Sequence, residues 1–157
     1  MKPFFRTVMY AGLLVGTTDL IAAYINQFML TGKFADKLLQ YIAGGALGLE
    51  TSLQGGLWTS VLGLFFHYFI ATAFTLLFFL LYPKFRLQAY NVFLVGFLYG
   101  VFVGMVMGFV VLPLTPLPKF PFDLPRAAVG WCILGVALGI PVAVIARRFY
   151  RQRHTAA

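Results

Sequence analysis

Four apolar runs alternate along this chain with stretches that collect nearly all of its charge and proline. The runs cover about 8–30, 57–82, 90–112 and 127–146, and a bilayer core about 30 Å thick needs about 20 helical residues to cross it. The pattern predicts an all-α membrane protein, a four-helix bundle forming one domain over 1–157. In the first connector Phe34, Leu38, Tyr41, Ile42 and Leu49 recur near helical spacing, with Lys33, Asp36, Lys37 and Gln40 between them. That predicts an extra helix over 33–49, either amphipathic on the outer surface or re-entrant, with Gly44, Gly45 and Gly48 arguing against a fifth span. The second connector, 83–89, is short, so the spans it joins should be antiparallel neighbours. The third carries Pro113, Pro116, Pro118, Pro121 and Pro125, which predicts a stiff, extended outer loop. Trp58, Tyr82, Tyr90, Trp131 and Tyr150 fall near the span ends, where amphipathic rings favour the interface.

Polar residues inside the runs are few, and two of them are ionisable. Asp19 and His67 lie near the middle of the first and second runs, where a charge is costly without a partner, which makes them the leading functional candidates. Gly12, Gly16, Asp19, Ala23, Asn26 and Gln27 follow three- and four-residue steps, giving the first helix one small or polar face. Thr59, Gly63, His67, Ala71 and Thr75 do the same on the second. At about 1.5 Å per residue both ionisable groups sit about 15 Å from opposite membrane faces, at one level. The expectation is a buried Asp19–His67 hydrogen bond across two antiparallel helices, extended partway by Asn26, Gln27, Thr59 and Thr75. Such a pair either glues two helices together or responds to protons, because imidazole changes charge near neutral pH.

Glycine marks a second seam. Gly96, Gly100, Gly104 and Gly108 recur every fourth residue in the third run, with shorter echoes at Gly12 and Gly16 and at Gly135 and Gly139. The stripe forms a groove that admits another backbone, belonging either to a neighbouring helix of the same chain or to a second copy in an oligomer.

Composition agrees with the membrane reading: of 157 residues, 61% are hydrophobic and only 10% charged, far below the soluble average of about 25%. The net charge of +8 is distributed as a topology signal rather than a nucleic-acid footprint. With the N-terminus inside, the cytoplasmic side gathers Lys2, Arg6, Lys84, Arg86, Arg147, Arg148, Arg151 and Arg153. The outer side holds Lys33, Lys37, Lys119 and Arg126, offset by Asp36, Glu50 and Asp123. Both termini are thus expected in the cytoplasm, the first apolar run being a retained span rather than a cleaved signal, since Asp19 and Asn26 interrupt it. The expected partners are the lipid bilayer and either a second copy or another membrane protein. Residues able to stack on bases lie within the spans, which excludes nucleic acid.

Enzyme templates do not fit. Ser52 and Ser60 lack triad partners, no phosphate-gripping glycine loop occurs, and Glu50 reads as a solvated turn residue. The lone Cys132 reads as a packing residue, and His67 and His154 are too far apart in the topology to share a metal, so no metal or cofactor is expected.

The stretch Leu62-Gly63-Leu64-Phe65-Phe66-His67-Tyr68-Phe69-Ile70, closed by Tyr82-Pro83-Lys84, resembles the YagU-like family of small bacterial inner-membrane proteins. Gly96-Phe97-Leu98-Tyr99-Gly100 and Leu112-Pro113-Leu114-Thr115-Pro116 extend the likeness over about Gly63 to Asp123. The resemblance implies a multi-span bacterial inner-membrane protein loosely associated with acid tolerance, with His67 on the family's histidine and no counterpart for Asp19. Two functions follow as expectations: a proton- or solute-handling protein working through the Asp-His pair, or a non-catalytic subunit or scaffold whose glycine seams serve packing.

Overall fold

A backbone in hydrocarbon must satisfy its own N–H and C=O groups, and helix does so locally. The structure, a computed structural model, describes residues 2–119 and 121–155. The side chains of Lys2, Arg153 and His154, placed above at the chain ends, lie outside what is described. α1 spans Lys2–Thr31, α2 Leu38–Leu47, α3 Leu49–Gln54 and α4 Gly56–Lys84. After a 3-10 turn at Leu87–Ala89 come α5 (Val92–Val106), α6 (Leu124–Leu134) and α7 (Ile140–Thr155). α5 continues through a π-turn, Met107–Val111, and a 3-10 turn, Leu112–Leu114; a second π-turn, Gly135–Gly139, joins α6 to α7 as one rod. Four rods are therefore long and apolar enough to cross a membrane: Pro3–Thr31, Gly56–Lys84, Val92–Leu114 and Leu124–Gln152. No strand occurs among the described residues, and the architecture is an all-α bundle.

Two features differ from the sequence expectation. The fourth rod starts at Leu124, with Asp123 as its cap: the Arg126 N–H donates to Asp123 Oδ1 at 3.2 Å. Pro125 thus opens this helix instead of belonging to an extended loop, because the first turn needs no N–H from it. The connector helix expected over 33–49 is instead a hairpin of α2 and α3, broken where Gly48 adopts φ +83°, a backbone that side-chain-bearing residues rarely adopt.

Small residues decide which rods touch. α1 lies along α4 with Gly12 against Thr72 and Gly16 against Tyr68 and Ala71. α5 lies along the fourth rod: Gly96 meets the backbone of Gly139, Gly100 meets Leu134 and Gly135, and Gly104 takes the Trp131 ring. The glycine groove of the third span is therefore filled from within the same chain at these three positions, while Gly108 faces open space. α4 and α5 do neighbour one another, but through bulk: Tyr99 packs on Phe78 at 4.6 Å between ring centres and its hydroxyl donates to the Phe74 carbonyl at 2.6 Å.

Core density is uneven along the bundle. At the end carrying Lys84 and Arg147, buried Val8, Phe78, Phe79, Tyr82, Val142 and Ala146 form a tight cluster. Tyr82 and Tyr150, expected at an interface, join that core; the rings stack at 5.3 Å, and the Tyr150 hydroxyl donates to the Phe79 carbonyl at 2.7 Å. Trp131, also near a span end, lies against Gly104 of α5. Cys132, expected to pack, is exposed on the outside of that rod. At the opposite end the α2–α3 hairpin closes the bundle. Gly63 of α4 lets the α2 backbone at Leu39 and Ala43 come against it, and Gly44 brings Ser52 and Leu117 together. Gln40 donates to the Gly56 carbonyl at 3.0 Å, fixing the hairpin to the start of α4.

Candidate functional site

Asp19 follows Gly16 by one helical turn, so a helix that packs through Gly16 carries Asp19 along the same seam. The close approach at Gly16 brings α4 near enough for His67 to reach across. Its Nε2 lies 2.8 Å from the Gly16 carbonyl oxygen and 3.9 Å from Asp19 Oδ2. A carbonyl can only accept, so this bond requires the proton on Nε2. Gly16 has no side chain to shield its carbonyl, and the second lone pair of that oxygen remains for the imidazole after the helix has used the first.

This geometry corrects the expected buried, hydrogen-bonded Asp–His pair. At 3.9 Å the carboxylate is a neighbour of the ring, not a hydrogen-bond partner. Neither side chain is fully enclosed: His67 is 12% and Asp19 19% exposed. Full burial of an ionised carboxylate would be far costlier.

Two further contacts frame the site, and sequence reasoning missed both. Thr17 Oγ1 and the Tyr68 hydroxyl share a hydrogen bond of 2.9 Å, each being the direct neighbour of a site residue. Thr18 Oγ1 donates to the Ala137 carbonyl at 2.6 Å. Ala137 lies inside the second π-turn, and the residue four positions on, Pro141, has no N–H to give its carbonyl. The α1 hydroxyl thus ties the first rod to the fourth at the depth of the Asp19–His67 pair. The signal available in the sequence was the consecutive Thr17-Thr18-Asp19 and His67-Tyr68.

The remaining seam residues do not join the pair. The Thr59 hydroxyl donates to the Ser52 carbonyl at 2.7 Å and Thr75 to the Ala71 carbonyl at 2.8 Å, and both side chains are buried in those local roles. Asn26 and Gln27 lie half-buried farther along α1. Glu50 is exposed in the first turn of α3. Among the described residues no three His, Cys, Asp or Glu side chains come together. Beyond the site toward the basic end the fully buried Phe78 and Phe79 seal the bundle. Chemically, the arrangement offers one imidazole, one carboxylate and the three hydroxyls of Thr17, Thr18 and Tyr68, with no polar chain leading through the bundle among the described residues.

Comparisons with protein-family models, with curated proteins and with solved structures find no match.

Proposed function

We propose that this chain is a multi-pass protein of the bacterial inner membrane in which Asp19 and His67 form a proton-responsive element between α1 and α4. The observation that carries it is the 3.9 Å separation of Nε2 and Oδ2 beside the 2.8 Å bond to the Gly16 carbonyl. Protonating the free ring nitrogen turns the imidazole into a cation next to a carboxylate, while Nε2–H keeps its grip on α1. The charge change acts on the α1–α4 contact itself, because the acceptor is the carbonyl of a glycine through which the two helices pack. The aromatic seal toward the basic end supports gated proton handling over an open channel.

The orientation belongs to this reading. Lys84, Arg86, Arg147 and Arg148 gather at the end of the bundle that also carries Arg6, which supports cytoplasmic termini. Kinship with the YagU-like proteins rests on the motif around His67 and would assign the response to acid stress. No covalent chemistry is assigned to the chain, and the lipid bilayer is its principal partner.

A second reading, a non-catalytic subunit or scaffold, draws support from the glycine contacts between α5 and the fourth rod. Purified protein in liposomes loaded with a pH-sensitive dye separates the two. On the first reading an external acid step produces a dye response above that of protein-free vesicles, and His67→Ala and Asp19→Asn abolish it while remaining helical by circular dichroism. Equal traces for wild type, both variants and empty vesicles would leave the scaffold.

A further inference from the structure

Glycine inside a helix costs about 1 kcal/mol relative to alanine, so one that contacts nothing calls for another explanation. Gly108 and Gly130 are such residues: a Cβ added to either meets nothing within 4 Å. Both line a half-open cavity of about 690 Å³ between the first π-turn, the proline-bearing loop and α6. That volume falls within the range of small-molecule sites, about 300–1,000 Å³. π-Turns are frequent at functional sites, and here Met107–Val111 forms one wall.

The cavity lining is graded along α6. At one end stand Lys119 and the largely exposed Arg126, with Asp123 pairing Arg126 at 3.2 Å, so this rim keeps a net positive charge. Deeper in lie Gly130, Trp131 and Leu134 on α6, facing Gly104, Met107 and Gly108. From Arg126 to Leu134 the helix descends about 12 Å, close to the depth of one leaflet's hydrocarbon. A cationic rim over an apolar slot one leaflet deep matches an amphiphile with an anionic head. In a protein whose surroundings are lipid, that amphiphile is at hand.

We infer that this cavity is a specific site for an anionic phospholipid, with the phosphate held by Lys119 and Arg126 and one acyl chain lying between Gly108 and Gly130. The tryptophan ring closes the slot on its inner side, resting on Gly104. The π-turn widens the helix where the chain passes. Glycine at both positions leaves open the space that a larger side chain would take from the acyl chain.

The test is native mass spectrometry of the protein released from nanodiscs of equal phosphatidylglycerol and phosphatidylcholine. One phosphatidylglycerol should be retained per protein in preference to phosphatidylcholine. Lys119→Gln with Arg126→Gln should lower that retention about fivefold for each charge removed. Gly130→Leu should abolish it at unchanged thermal stability, and Gly108→Leu, filling the slot from the opposite wall, serves as the second variant. Equal retention of the two lipids, or undiminished phosphatidylglycerol on both folded leucine variants, would overturn the assignment.

Discussion

His67 bonds to the Gly16 carbonyl, 2.8 Å from its Nε2, while Asp19 Oδ2 lies 3.9 Å from the same nitrogen, beyond hydrogen-bond distance. Helix contact and the proposed proton response therefore share one imidazole ring. Replacing Gly16 by leucine would drive a side chain into Tyr68 and Ala71 and pull that carbonyl out of reach. Gly16→Leu should remove the dye response as completely as His67→Ala, whereas Thr75→Val and Thr59→Val should leave it intact, since those hydroxyls serve local backbone carbonyls. A response lost equally in all four variants would point to general disruption.

The glycine stripe of α5 separates into contacting and empty positions. Gly100→Leu places a side chain in the backbone of Leu134 and Gly135 and should cost about 3 kcal/mol or more, measured by thermal unfolding in a mild detergent. Gly108→Leu, facing open space, should change stability by less than about 0.5 kcal/mol. Comparable losses at both positions would indicate that a second copy covers Gly108.

Thr18 bridges two rods through the Ala137 carbonyl at 2.6 Å. Thr18→Val keeps the shape and removes the donor, leaving a π-turn carbonyl unpaired. It should cost about 1 kcal/mol. Tyr99→Phe, which loses the bond to the Phe74 carbonyl, should cost about as much.

The α2–α3 hairpin docks where Gly63 leaves no room for even a methyl group beside Leu39. Gly63→Ala should free the hairpin, raising hydrogen exchange over 38–54 while the basic-end core stays protected. Unchanged protection there would mean that Gln40 and Thr59 hold the hairpin without the close backbone contact.

Much of the frame can be read from residue type alone, because crossing hydrocarbon imposes length and apolarity on every rod. Depth and face likewise bring Asp19 and His67 to one level of one seam. Their actual bonding was hidden for a plain reason: the acceptor is a backbone carbonyl, which every residue has and no letter marks. The π-turns were equally invisible, since a wider register at Gly135–Gly139 depends on what packs around it. Gly48 shows the intermediate case. Its presence weakened a fifth span, but only the positive φ shows that it splits the connector into two helices. Asp123 followed by Pro125 was a legible helix start that the density of prolines obscured.

The proposed function requires the Asp19–His67 site to take up a proton when the folded protein in lipid is moved from mildly basic to acid solution. Infrared difference spectroscopy on lipid-reconstituted protein, stepped between about pH 8 and pH 5, reads this directly. Imidazole ring bands should appear that vanish in His67→Ala and are altered in Asp19→Asn. Identical difference spectra for wild type and His67→Ala would contradict the proposal.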